Sequence, residues 1–240
     1  MAGADALMQG EYASLVARLL ERRQEGRQWW VGIGGGPGSG KSTLSAAVVA
    51  GVNAAVGKDV AVVLPMDGFH YSRAELRQIA ESSGGATSFD DLLARRGSPW
   101  TFDAAKIVRE LSAAKAAGHA VLPTYSRKLS DPVPGGVELT AQHELVLCEG
   151  NYLLNFEAAE WSALRSVFDE KWFISCADLA EQRERLVKRH LETWTAEKTA
   201  MWGEGEAGAG KKADANDVLN AEFVERETKK FADLVIVSRG

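Results

Sequence analysis

The stretch QWWVGIGGGPGSGKSTLSAAVV, residues 28–49, decides the fold. Its apolar start reads as a buried strand, the glycine run as a tight turn, and the segment from Lys41 to Gly57 as a helix. Gly35–Ser42, GGPGSGKS, satisfies G-x-x-x-x-G-K-[ST] with a strand before it and a helix after it, the context that gives the motif its meaning. Glycines let successive backbone N–H groups turn inward around an oxyanion, and the helix N-terminus adds its dipole. Lys41 brings an ammonium to the β- and γ-phosphates, the Ser42 hydroxyl suits Mg²⁺, and Thr43 stands where a hydroxyl reaches the α-phosphate. The candidate phosphate cradle is therefore Gly35, Gly36, Pro37, Gly38, Ser39, Gly40, Lys41, Ser42 and Thr43.

Outward from this loop, strands and helices alternate. VAVVLP (60–65), ELVLCE (144–149), KWFISC (171–176) and DLVIVS (233–238) read as further strands. Residues 4–24 carry Leu7, Leu15, Val16, Leu19 and Leu20 at helical spacing, predicting an N-terminal surface helix within residues 1–26. Residues 72–117 read as helices with loops, and HAVLPTYSRKLSDPVPGGVEL (119–139) as a hairpin-like excursion. LAEQRERLVKRHLETWTAEKTAMW (179–202) reads as one long basic helix, and GEGEAGAGKKADAN (203–216), poor in apolar residues, as a mobile loop. The alternation predicts an α/β fold with a mainly parallel sheet covered by helices on both faces, in a single domain over residues 1–240.

A net charge of −5 leaves no overall electrostatic footprint for nucleic acid, so any polyanion must be met by a local patch. Cys148 and Cys176 both lie in apolar runs and are expected to be buried, reduced thiols. No segment has the composition of a signal peptide or approaches the roughly 18 apolar residues of a membrane span. The expectation is a soluble, cytoplasmic protein with no nucleic-acid or membrane partner.

Two carboxylates stand at strand ends. Glu149 closes LVLCE where nucleotide hydrolases place an acid that holds Mg²⁺ through its water shell. Asp67, in VAVVLPMDGFHYSR (60–73), follows its strand almost at once. Ligands of open α/β sheets gather at the carboxyl ends of the strands, so the sheet aims Asp67 at the γ-phosphate. There it can orient an acceptor hydroxyl and take its proton. The motifs D-x-x-G and N-K-x-D of guanine-nucleotide switches are absent, as is the LSGGQ signature of transporter ATPases.

These residues resemble the phosphoribulokinase/uridine kinase family of P-loop kinases, which is itself similar to pantothenate and glycerate kinases. The resemblance covers nearly the whole chain after about residue 28. It rests on GGPGSGKST, PMDGFH, TFD (101–103), PTYSRKLSDP, LCEGNYLL and the arginine-rich helix. The spellings PMDGFH, RRGSPWTFD and RLVKRHL look most like a fungal and bacterial uridine-kinase-like subgroup of nucleoside or sugar kinases or ATPases. The family implies a P-loop NTPase three-layer fold with a five-stranded sheet and a helical lid, here residues 178–215, and ATP with Mg²⁺ as cofactors. It implies Asp67 as the acceptor-activating base, and Asp103, Tyr125 and Arg127 as contacts to a small-molecule hydroxyl acceptor. It further implies Arg185 and Arg189 as lid guanidinium groups over the phosphates, and ANDVLNAEFV (215–224) as a segment near the nucleotide base. His70 is a candidate contact to acceptor or product phosphate.

Each assignment has a structural alternative. Asp103 reads equally as the N-cap of AAKIVREL, Tyr125 as a packing residue, and His70 as a turn histidine. The basic run Arg183, Arg185, Lys188, Arg189 also reads as a solvated face paired with Glu181 and Glu184. SRKLSDPV (126–133) lacks the phenylalanine and histidine that read the pyrimidine in uridine kinases, which weakens uridine specificity; a pocket with Asp103, Tyr125 and Arg127 suits a sugar, sugar acid or phosphorylated acceptor at least as well as a nucleoside. The leading expectation is a kinase acting on a small metabolite; the alternatives are an ATPase driving an assembly step and a regulatory nucleotide binder.

Overall fold

The computed structural model describes the backbone of residues 2–239 and the side chains of residues 8–239. Among the described residues seven strands follow in order: β1 (Trp29–Gly34), β2 (Ala61–Pro65), β3 (Ala120–Ser126), β4 (Asp131–Leu139), β5 (Leu145–Glu149), β6 (Glu170–Cys176) and β7 (Leu234–Ser238). Five of them form a parallel sheet in the order β2-β5-β1-β6-β7. β3 and β4 pair separately as an antiparallel hairpin whose register shifts at Pro123, a residue with no N–H to give the ladder.

The central strands β1 and β5 are buried almost end to end because helices cover both faces there, whereas the edge strand β7 leaves Val235 and Val237 exposed. On one face, α1 (Ala2–Arg22) and α2 (Lys41–Val56) bring Leu15, Leu19, Leu44 and Val48 against Val31, Ile33, Leu147 and Trp172. On the other, α5 (Ala104–Ala117) and α9 (Val218–Thr228) bring Ile107, Leu111 and Val224 against Trp30, Val146 and Phe173. α1 is more than a surface appendage. Arg18 pairs with Glu170 at 2.5 Å, Trp172 donates to the same carboxylate at 2.7 Å, and Arg23 pairs with Glu144. Met1 and the Leu7 side chain lie outside the described residues.

The basic helix is two helices, α6 (Leu179–Leu191) and α7 (Ala196–Trp202). The break falls at Thr193–Thr195, where Thr195 caps α7 by accepting from Lys198 N and the Lys198 ammonium donates to the Thr193 carbonyl at 2.5 Å. The segment expected to be a mobile loop is instead α8 (Gly205–Lys212), followed by a π-turn over Ala213–Asp217 that runs into α9. Its alanines and glycines are small enough to pack α8 against α6. Ala209 and Ala213 are fully buried with Leu186 and Val187, and Arg183 makes a two-pronged ion pair with Asp214 at 2.6 and 2.8 Å. Cys148 is buried as expected, whereas Cys176, at the outer end of β6, is half-exposed; both are free thiols.

α8 supplies a test of this packing. A Cβ at Gly208 would lie 2.2 Å from the Gly203 carbonyl oxygen. Gly208→Ala should therefore destabilise the protein by about 1–3 kcal/mol in urea unfolding. In a solvated helix or mobile loop the same change would be neutral or stabilising by up to about 1 kcal/mol.

Candidate active site

The phosphate loop turns at the carboxyl tip of β1, the central strand. Lys41, the first residue of α2, is folded back into it: Nζ donates to the Gly36 carbonyl at 2.9 Å and to Asn151 Oδ1 at 2.8 Å. Register pairing sets Glu149, the last residue of β5, beside Ile33 of β1. From there Glu149 accepts the Ser42 hydroxyl at 3.0 Å. Ser39 Oγ is buried in the loop with no hydrogen-bond partner among the described residues. Thr43 sits on the exposed side of the first turn of α2.

Burial dominates the electrostatics here. Loss of water lowers Lys41 to about 8, opposed by the charges of Glu149 and Asp67. The same desolvation, reinforced by Asp67, raises the Glu149 carboxyl above its ordinary range, while Lys41 and the Ser42 hydroxyl pull it down. Ser42 and Glu149 thus bring two oxygens together where a cation would hold the carboxylate ionised, a donor set that suits Mg²⁺. Among the described residues no cluster of three or more His, Cys, Asp or Glu side chains forms a metal cage. Mg²⁺ needs none, since phosphate oxygens and water fill most of its octahedron.

Asp67 lies in a 3₁₀ turn, Met66–Phe69, directly after β2. β2 is not next to β1, since β5 lies between them, so Glu149 separates the cradle from Asp67. Gly68 answers why a glycine follows that acid. Its position lies so close to β3 that a Cβ would sit 2.1 Å from the Pro123 carbonyl oxygen. The close approach sets Asp67 and His70 beside Tyr125 of the hairpin. His70 Nδ1 donates to the Asp67 carbonyl at 2.8 Å, its ring stacks 3.8 Å from Phe102 and 4.9 Å from Tyr125, and burial lowers its pKa. Neutral His70 therefore carries its proton on Nδ1 and leaves Nε2 as an acceptor.

A cavity of about 390 Å³ joins these groups; Lys41, Asp67, His70, Tyr125, Arg127 and Arg189 all line it, together with Ser42 and Glu149. Of the candidates outside the phosphate loop, Asp103 and Arg185 do not line it. Asp103 caps α5, accepting from Lys106 N at 2.9 Å. Arg185, one turn before Arg189 on α6, donates to Ser238 at 3.0 Å and pairs with Glu181. Arg189 instead points to Asp217 at 3.4 Å, and Asp217 also meets His190 at 2.9 Å. ANDVLNAEFV occupies the π-turn and α9, where Asn216 donates to the Arg96 carbonyl at 2.7 Å and accepts from Ser98 at 3.1 Å.

Sequence reasoning missed Asn151, Asp217 and Arg96, all in the cavity lining. Asn151 was within reach of it, standing two residues beyond Glu149 in the phosphate-facing loop. Asp217 lies within ANDVLNAEFV and Arg96 within RRGSPWTFD, stretches the sequence singled out, but neither residue was given a role of its own.

A phosphate loop on the central strand, a buried acid on the next strand and a second acid across a shared cavity define a P-loop phosphotransferase. Relatives fit that class. The chain is 30% identical over 224 residues to the Schizosaccharomyces pombe protein named "Putative uridine kinase C227.14", covering 92% of this chain and 88% of the relative. It is 25% identical over 209 residues to the ATP-dependent kinase YFH7 of Eremothecium gossypii, of which it spans only 58%. Among solved structures, the Silicibacter sp. TM1040 protein described as a putative fructose transport system kinase superposes with a TM-score of 0.74 at 34% identity, covering 94% of this chain and 98% of that one. No protein-family model matches. The chain belongs to the uridine-kinase-like family of P-loop kinases, phosphotransferases that use ATP.

The buried ammonium gives a pH signature. Between about 8 and 10.5 the unfolded chain holds a proton on Lys41 that the folded protein has released, so the folded state gains stability as pH rises through that window. Below it the desolvation cost is present in full. Lys41→Met should unfold at higher urea than the wild type near pH 7, and the gap should shrink by up to about 3 kcal/mol towards pH 10. A gap independent of pH would contradict the burial of this charge.

Proposed function

We propose that the chain is a Mg·ATP-dependent kinase that transfers the γ-phosphoryl group to a hydroxyl of a small metabolite. The observation that carries this reading is the shared cavity, which sets Asp67 and the hairpin residue Tyr125 in one space with Lys41, Ser42 and Glu149. A nucleotide hydrolase needs room for a water; a kinase needs room for an acceptor beside the base, and the cavity supplies it.

In this reading Lys41 leaves Gly36 and Asn151 to neutralise the β,γ-phosphates, and the Ser39 hydroxyl donates to a phosphate oxygen. Ser42 and Glu149 would hold Mg²⁺, which when bound draws charge from the phosphate oxygens. Asp67 accepts the proton of the acceptor hydroxyl as it attacks; transfer is loose, so placement matters more than basicity. Arg189 meets the charge of the transferred group, while Arg185 braces the end of β7 through Ser238. Residues 1–240 act as one P-loop domain in which 178–215, α6 to α8, close over the nucleotide as a lid.

The acceptor does not follow from the relatives, whose names point to a uridine kinase and a fructose transport system kinase. SRKLSDPV, at the tip of the hairpin, carries no aromatic side chain to stack on a pyrimidine.

Asp67→Asn should lower turnover by roughly two to four orders of magnitude while the KM for ATP stays within about threefold, in an ADP-release assay across hydroxylated metabolites. Near-normal activity of that variant on the true acceptor would refute the base. The two lid arginines should separate. Arg189→Ala should cut kcat about 100-fold or more, and Arg185→Ala should change it little; equal losses would contradict the distinction.

A further inference from the structure

Asp217 is a buried carboxylate that the transfer steps above leave unused. It is only 8% exposed, and it lines the same cavity as Lys41, Asp67 and Arg189. Three basic side chains converge on it. His190 Nε2 donates to Oδ2 at 2.9 Å, Arg189 Nη2 donates to Oδ1 at 3.4 Å, and the half-buried Lys212 adds its charge from the end of α8. A carboxylate only accepts, so His190 carries its proton on Nε2. Burial works against a charge on Asp217, but His190, Lys212 and Arg189 more than offset it and hold the carboxyl below its ordinary range. Among the described residues Asp217 is the one hydrogen-bond partner of the Arg189 side chain.

The two ends of that pair belong to different parts of the domain. Arg189 stands in the last turn of α6, within the segment read above as a lid. Asp217 closes the π-turn that leads into α9, a rare backbone form that gathers at functional sites. The turn is tied to the body of the domain: Asn216 donates to the Arg96 carbonyl and accepts from Ser98, Asn220 donates to Asn216 at 3.3 Å, and Val224 of α9 packs into the core. A long side chain at a helix end has many rotamers, and an anchor on a fixed element restricts where its planar fork can point. The rest of the fork stays accessible, since the Arg189 side chain is 33% exposed and lines the cavity. Its charge is felt at Lys41 on one side and meets that of Asp67 on the other.

We propose that Asp217 is the positioning residue for Arg189: it holds Nη2 from the body of the domain and so aims the guanidinium at the terminal phosphate of the bound nucleotide. His190 occupies the second carboxylate oxygen and leaves Oδ1 to the arginine. The inference deepens the kinase reading and rests on it for the role of Arg189 in transfer; the aiming of Arg189 at a nucleotide does not depend on any acceptor.

A double-mutant cycle on the full chain tests it, since a residue that acts through Arg189 has nothing left to act on once Arg189 is gone. Dissociation constants for Mg²⁺ with β,γ-imido-ATP and for Mg²⁺ with ADP are measured on the wild type, Asp217→Asn, Arg189→Ala and the double variant. Each single change should weaken the imido analogue about tenfold and ADP less than about twofold, and the double variant should bind no more weakly than Arg189→Ala alone. In the ADP-release assay, on the hydroxylated metabolite turned over best, Asp217→Asn should lower kcat about 10- to 100-fold with the acceptor KM little changed. In the Arg189→Ala background it should cost nothing further.

Losses that multiply in the double variant overturn the proposal, because Asp217 would then serve the fold or the acceptor independently of Arg189. Tighter binding of the imido analogue by Asp217→Asn overturns it too, because the carboxylate would then compete with the phosphate for the guanidinium. Circular dichroism and the melting temperature certify that each variant is folded. Should the asparagine variant not fold, Asp217→Glu keeps the charge, displaces it by one methylene, and is judged by the same cycle. Non-multiplying losses in imido-analogue binding, with no acceptor turned over, would sustain the positioning role and sink the kinase reading instead.

Discussion

Everything near the site depends on one buried ammonium. Lys41 is held between the Gly36 carbonyl and Asn151, in a space from which water is largely excluded, with the Glu149 carboxyl on the neighbouring strand. Neither charge is well served there without a ligand: burial pushes the ammonium towards release of its proton and the carboxyl towards retention. A phosphate chain with a divalent cation reverses both pressures at once, since it gives the ammonium an anion and the carboxylate a cation. The fold keeps a strained charge pair in readiness for a ligand of that composition.

Strand order turns this pair into a site. With β5 between β1 and β2, Glu149 sits at the middle tip, the phosphate loop on one side and Asp67 on the other. The hairpin then closes the far wall by lying on the turn at Gly68, where only a hydrogen can fit against Pro123. Three elements distant in sequence therefore meet at one edge of the sheet, held by backbone pairing and, between the loop and the tip of β5, by the Lys41–Asn151 and Ser42–Glu149 hydrogen bonds.

Much of this was legible in the sequence because its causes are local. A strand, a glycine turn and a lysine at fixed spacing spell the phosphate loop wherever it occurs, and apolar runs ending in Asp67 and Glu149 announce strand tips. What was not legible came from packing. α8 was read as a loop because glycine and alanine carry little apolar signal, yet their small size is what lets it bury against α6. Arg185 and Arg189 look equivalent on a helix, and only the surroundings of α6 separate one that meets Ser238 from one that enters the cavity. The sequence left Asp103 open between cap and ligand, and the structure shows it capping α5.

The central claim is that one shared cavity holds the terminal phosphate of a nucleotide against the Asp67 carboxylate. A crystal structure with Mg²⁺ and a non-hydrolysable ATP analogue tests it most directly. The account predicts the terminal phosphate among Lys41, Ser42 and Arg189, its far side facing Asp67, with the space bounded by Tyr125 and Arg96 still open for an acceptor. A terminal phosphate directed to solvent, or a hairpin collapsed onto Asp67 so that no acceptor space remains, would contradict it.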